Sequence, residues 1–101
     1  MHGNDDMLKW DYRPFRGQSG WYMAITENMH LFVTGPIRGK RRACLMSGPK
    51  RKIVKQWEYP DPLDTMTAKR LALKDAEIYV QTVFVQYGNA LRAMRGAPTD
   101  A

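Results

Sequence analysis

Cysteine and histidine are almost missing from this chain: Cys44, His2 and His30 are all it has in 101 residues. A closed structural zinc site takes four ligands, so none is expected. Cys44 has no partner for an intrachain disulfide, which fits a reducing compartment and a cytoplasmic location. A cysteine nucleophile would need His30 alone to converge on Cys44, with a third group to orient it. Within "RACLMS", Cys44 reads instead as a small buried hydrophobe.

Paired carboxylates suited to acid–base work are lacking too. Asp5 with Asp6, Asp61 with Asp64, and Asp75 with Glu77 fall on turns or on the polar side of a helix, where solvation is their expected role. "GPIRGK", residues 35–40, has two glycines and a lysine but not the spacing of a phosphate-binding loop, and it follows a strand without opening a helix. No enzyme activity and no cofactor are therefore expected.

Long apolar runs are also absent. None approaches the roughly 18 residues that span a bilayer. The first ten residues, "MHGNDDMLKW", are acidic and polar where a secretory signal would be basic and then apolar. Neither a membrane partner nor a signal is expected.

What the chain does have is enough apolar material for one core. Hydrophobic residues make up 44%, charged residues 26%, and aromatics 11%, which suits one globular domain at this length. The expected organisation is a frayed end over 1–7, an α+β domain over 8–95 and a tail over 96–101. Leu8, Trp10 and Tyr12 alternate with Lys9, Asp11 and Arg13, the two-residue period of a strand, and Pro14 should close it. "RGQSG", residues 16–20, reads as a loop.

"WYMAITE" (21–27), "LFVT" (31–34), "RRACLMS" (41–47) and "KIVKQWEY" (52–59) read as further strands, with "ENMH" a turn and Gly35-Pro36 and Gly48-Pro49 as stops. In the last of these, Ile53 is expected to share a side with Lys55, Trp57 and Tyr59. Trp10, Trp21 and Trp57 are the expected core tryptophans, and Tyr22 is the aromatic expected to stay exposed, where it could stack on an unpaired base.

After a linker over 60–63, Asp64 or Thr65 can cap a helix. Ala68, Leu71, Ala72, Ala76, Tyr79, Val80, Val83, Phe84, Tyr87 and Leu91 then recur at steps of three and four. Residues 78–87 are rich enough in β-branched and aromatic side chains to form a strand, but the helical face continues through them to Gly88 and on to a C-cap at Gly96. The fold expected is an antiparallel meander of four to five strands with one long C-terminal helix packed on one face. Such a helix, about 45 Å long at 1.5 Å per residue, outreaches a small sheet. It must protrude, bend at Gly88, or bury Tyr79, Val83, Tyr87 and Leu91, with Val80 and Phe84 beside them, against a second copy or a larger partner, so a homodimer is one expectation.

The order of sheet then helix is similar to that of single-strand-binding transcriptional coactivators, whirly proteins and the DNA-binding domain of plant ethylene-response factors. No residue motif of those families stands in the chain, so no functional residue follows from the likeness.

Charge is unevenly placed. The formal net charge is +6 and the pI about 9.7, and residues 35–57 hold eight of the sixteen Lys and Arg residues with no Asp or Glu. Arg38, Lys40, Arg41 and Arg42 stand at one end of the "RRACLMS" strand; Lys50, Arg51, Lys52 and Lys55 stand beyond the other, about 20 to 25 Å away. Two cationic clusters separated by a strand fit a polyanion held at two points, with no acid nearby to neutralise them. The leading expectation is a nucleic-acid-binding module; the alternative is a small inhibitor or adaptor, of the kind phages encode, whose basic surface meets an acidic protein surface on a nucleic-acid-handling complex. Charged strand edges that merely discourage aggregation give the same pattern.

Overall fold

The computed structural model describes residues 8–60 and 63–97; the expected frayed stretch 1–7, residues 98–101 of the tail, and Asp61 and Pro62 of the linker lie outside the described residues. Five strands form one antiparallel sheet in chain order: β1 (Asp11–Phe15), β2 (Gln18–Thr26), β3 (Met29–Thr34), β4 (Lys40–Ser47) and β5 (Lys52–Pro60). One helix, α1 (Thr65–Arg95), follows and packs on one face, completing an α+β layer pair.

The first strand differs from its expected course. β1 runs through Pro14, which pairs with Ser19, and the expected loop over 16–20 is mostly strand. Arg16 and Gly17 make the whole turn, with φ of 52° and 81°. Two left-handed residues in succession match the twist of the flanking strands, so a two-residue turn suffices. Pro14 is tolerated because β1 is an edge strand and not every N–H on an edge is needed in the ladder. The same left-handed pair recurs at Arg38 (52°) and Gly39 (79°), and Arg51 (52°) is left-handed in the β4–β5 turn.

A bulge reorders β5. Leu45 pairs with Lys55 but Met46 pairs with Ile53, so Val54 is skipped. Ile53 is thereby moved to the face away from the helix, apart from Trp57 and Tyr59, which stay on the helix side.

On the helix side, Leu31, Val33, Ala43, Leu45 and Tyr59 meet Ala68, Ala72 and Ala76, with Trp10 and Trp57 half-buried beside them. Alanines let the helix approach the sheet closely, and they are the helix's only buried residues. Asp64 begins it by accepting from the Thr67 amide at 2.6 Å. That bond, with Arg70 and Arg41 near by, holds the Asp64 carboxyl below its ordinary pKa. Helical structure continues unbroken through 78–87 and Gly88 to Gly96, whose amide donates to the Arg92 carbonyl. The chain does not fold back at Gly88: residues 89–97 are exposed throughout.

Candidate nucleic-acid interface

The face of the sheet away from α1 is not bare. Tyr22, Phe32 and Met46 form a second buried cluster there, flanked by Phe15 and Ile53. Gly20 makes the packing possible, because a Cβ at that position would stand 2.3 Å from the Val33 carbonyl oxygen and 2.9 Å from the tip of the Phe32 ring. The Phe15 ring lies 5.5 Å from that of Tyr22 and 5.3 Å from that of Phe32.

Tyr22 therefore does not present a free ring. It is only 4% exposed, because Phe15, Phe32 and His30 crowd it and the Arg13 guanidinium lies 3.8 Å from its centroid. The Arg51 guanidinium approaches the same ring at 5.4 Å. Arg16 extends from the β1–β2 turn to the β4–β5 turn, donating to the Arg51 carbonyl at 2.7 Å and, more weakly, to that of Lys50 at 3.4 Å. Arg42, on β4, is exposed. It lies near the buried Cys44, as does Arg16, and burial nevertheless pushes the Cys44 thiol up.

Four arginines from separate parts of the chain thus meet on one aromatic surface. Sequence reasoning had Arg42 and Arg51 but missed Arg13 and Arg16. The signal was present in the alternation of Asp11, Arg13 and Phe15, once the turn at Arg16–Gly17 pairs those residues with Tyr22, Gly20 and Gln18.

The other expected contacts are distributed differently. Arg38 and Lys40 are exposed at the β3–β4 turn, and Lys50 is exposed at the β4–β5 turn, so the open face has cations at both ends. Arg41 is 7% exposed and its Nε has no partner. Strand alternation places it on the helix side opposite Tyr59, away from the surface group. Lys52 is exposed opposite Ser47, and the Lys55 ammonium sits 5.8 Å from the Tyr79 ring on the helix side. The absence of acids near the clusters does not hold in three dimensions: Glu58 on β5 lies 3.5 Å from Lys40 and 3.7 Å from Arg42.

Beside this surface is a recess of about 540 Å³, bounded by Lys9, Trp10 and Asp11 before β1's midpoint, by Arg13, Tyr22, Ala24 and His30 on the sheet, and by Arg51. His30 Nε2 is 3.2 Å from the Glu27 carbonyl oxygen. Its Nδ1 and the Tyr22 hydroxyl are buried without hydrogen-bond partners. Burial holds the His30 pKa below its ordinary value, the Glu27 contact opposes that, and Arg51 and Arg13 lower it further.

The expected self-association residues also separate. Tyr79 and Val83 are half-buried, Tyr79 meeting Trp57 edge-on at 6.4 Å. Tyr87 and Leu91 are exposed, together with Val80, Phe84 and Met94. The exposed stripe therefore keeps Tyr87 and Leu91 of the expected face, with Val80 and Phe84, expected beside it, while Tyr79 and Val83 turn toward the sheet. Its N-terminal part borders an apolar groove of about 560 Å³ between α1 and the β2–β3 hairpin, where Ile25 and Met29 face Leu73, Ala76, Val80 and Phe84.

Among the described residues, no group of three or more His, Cys, Asp or Glu side chains could hold a metal ion, and no helix is long and apolar enough to cross a membrane. No protein-family model, no curated protein and no solved structure matches the chain.

Proposed function

We propose that this protein is a non-enzymatic nucleic-acid-binding module whose open sheet face receives the phosphate backbone. The observation that supports this most is the convergence of Arg13, Arg16, Arg42 and Arg51 over Phe15, Tyr22 and Phe32. Guanidinium groups present a planar fork that suits phosphate oxygens, and rings beneath them restrain their planes. Arg38 and Lys40 at one end, with Lys50 at the other, lengthen the track beyond a single phosphate. Overall charge of +6 draws a polyanion toward it from a distance.

Fluorescence anisotropy with single- and double-stranded oligonucleotides tests the reading. Affinity that falls linearly with salt on a log–log plot is the expected result. No binding at low salt overturns it in favour of an acidic protein partner. That second reading draws on Glu58, which shows a carboxylate to be a fitting partner for Lys40 and Arg42.

We further infer that α1 pairs with its counterpart in a second copy, making the protein a two-fold dimer. Val80, Phe84, Tyr87, Leu91 and Met94 lie on one helix face at steps of three and four, continuous with Leu73 and Ala76 at the apolar groove. Phe84 and Tyr87 are 76% and 72% exposed, more apolar surface than monomers usually leave together. An antiparallel pair with Phe84 facing Tyr87 brings Leu91 of one copy to Val80 and the groove of the other. The same register sets Glu77 beside Arg95 on one flank, matching opposite charges. Gly88 borders the stripe, and a Cβ there would meet nothing closer than Arg92 at 3.8 Å. Nothing within the subunit requires a glycine at this costly mid-helix position, whereas a close partner helix would.

A further inference from the structure

We propose that the recess between the start of β1 and the β4–β5 turn binds a terminal phosphate, a phosphomonoester, held by Lys9, Arg13, Arg51, Tyr22 and His30. This rests on the reading of the open face as a nucleic-acid surface and assigns one end of the bound strand to a particular place.

The primary observation is a pair of buried polar atoms that no group among the described residues satisfies. Tyr22 is 4% and His30 6% exposed, yet the Tyr22 hydroxyl and His30 Nδ1 have no hydrogen-bond partner. Buried polar atoms are nearly always paired, because an unpaired one keeps the cost of leaving water without recovering it. Both residues border the same recess. The Tyr22 hydroxyl can donate. With Nε2–H donating to Glu27, Nδ1 of neutral His30 can only accept; once protonated, it can donate too.

Charge selects the class of ligand. Among the described residues lining the recess, Lys9, Arg13 and Arg51 bring three positive charges and Asp11 one negative charge, a surplus of two while His30 is neutral. A phosphomonoester near neutral pH has a charge of about −1.5 to −2, whereas a backbone diester has one. The three terminal oxygens of the monoester also match the larger number of donors. Diesters are better placed along the open face, where Arg16 and Arg42 lie.

Protonation of His30 is coupled to this binding. Arg13 and Arg51 disfavour imidazolium here, and among the described residues lining the recess Asp11 is the one carboxylate. A dianion reverses the local field and offers an acceptor to Nδ1–H. Binding should then take up a proton at pH values between those of the free and bound titrations.

The test compares two single-stranded oligonucleotides of one sequence, one ending in a 5′-phosphate and one in a 5′-hydroxyl, with a 3′-phosphate version as control for which end is used. One phosphorylated end should bind about tenfold more tightly than the hydroxyl form, the scale of one or two charge-assisted hydrogen bonds. Inorganic phosphate alone should raise the His30 titration midpoint followed by NMR. Tyr22→Phe keeps the ring and removes the hydroxyl, and should lower the phosphate-to-hydroxyl affinity ratio. Equal affinities for all three ends, with no His30 shift on adding phosphate, would overturn the recess while leaving the nucleic-acid reading standing. Failure of every oligonucleotide to bind would overturn both.

Discussion

The Tyr59 hydroxyl donates to the Asp75 carboxylate at 2.5 Å, tying the last strand to the helix at the edge of the main core. Burial pushes the Tyr59 pKa well above its ordinary value, and the hydrogen bond and charge of Asp75 push it in the same direction. The folded state therefore holds the phenolic proton more tightly than the unfolded chain does. The corresponding stability is complete below pH 10 and is lost as pH rises from there toward the folded value. Tyr59→Phe should lower stability by about 1 to 2 kcal/mol near neutral pH and flatten the alkaline decline, as followed by urea unfolding at several pH values.

His30 sets the opposite slope. Its folded pKa lies below 6.5, so the unfolded chain binds the proton more readily. Stability should be complete above that value and fall as acidification passes through the folded titration. Replacing His30 with Gln should flatten this part of the pH profile. An unchanged slope would place its origin in other groups.

Substitutions in the basic segment should divide by strand face. Arg42→Ala and Lys50→Ala should each change stability by less than about 0.5 kcal/mol while weakening oligonucleotide binding. Arg41→Ala should instead destabilise by about 1 to 3 kcal/mol, through loss of packing around Ala43, Tyr59 and the helix start. Arg13→Gln and Arg16→Gln should weaken binding as Arg42→Ala does, although neither belongs to the conspicuous basic run.

Light scattering at micromolar concentration should give twice the chain mass of 11.7 kDa. Phe84→Glu or Tyr87→Glu should return it to the monomer value without loss of helix content. Glu77→Arg and Arg95→Glu should each weaken association, and the two together should restore it. A monomer mass for the unaltered protein at all concentrations would refute the helix pairing.

Much of the architecture was legible because local patterns and tertiary needs agree. The alternation around Trp21 and Met23, the two Gly-Pro stops and the capping Asp64 all name elements that the structure contains. Misreadings arose where a single residue reset the register. Arg16–Gly17 converts an expected loop into a two-residue turn, and skipping Val54 sends Ile53 to the other face.

Site residues were harder to read because exposure depends on what lies across the sheet. Nothing local distinguishes Arg41 from Arg42, yet alternation buries the first and exposes the second. Tyr22 was expected on the uncovered face and is there, but side chains of the sheet itself cover it. Arg13 and Arg16 stand far in sequence from Arg42 and Arg51, so their convergence follows from strand pairing and could not appear as a charge run.

Three of the cations at this surface, Arg16, Arg38 and Arg51, occupy left-handed backbone positions. Asparagine or glycine adopts that conformation more easily, and for most other residues the cost is about 1 to 2 kcal/mol. Arg16 and Arg51 offset that cost with contacts to the β4–β5 turn and the Tyr22 ring, whereas the Arg38 turn could be made more stable by giving up its guanidinium. Arg38→Asn should raise the unfolding temperature and reduce oligonucleotide affinity together. The hairpins are thus places where conformational ease and electrostatic reach oppose each other, and a variant selected only for thermal resistance would drift toward a neutral, better-folded and less attractive surface.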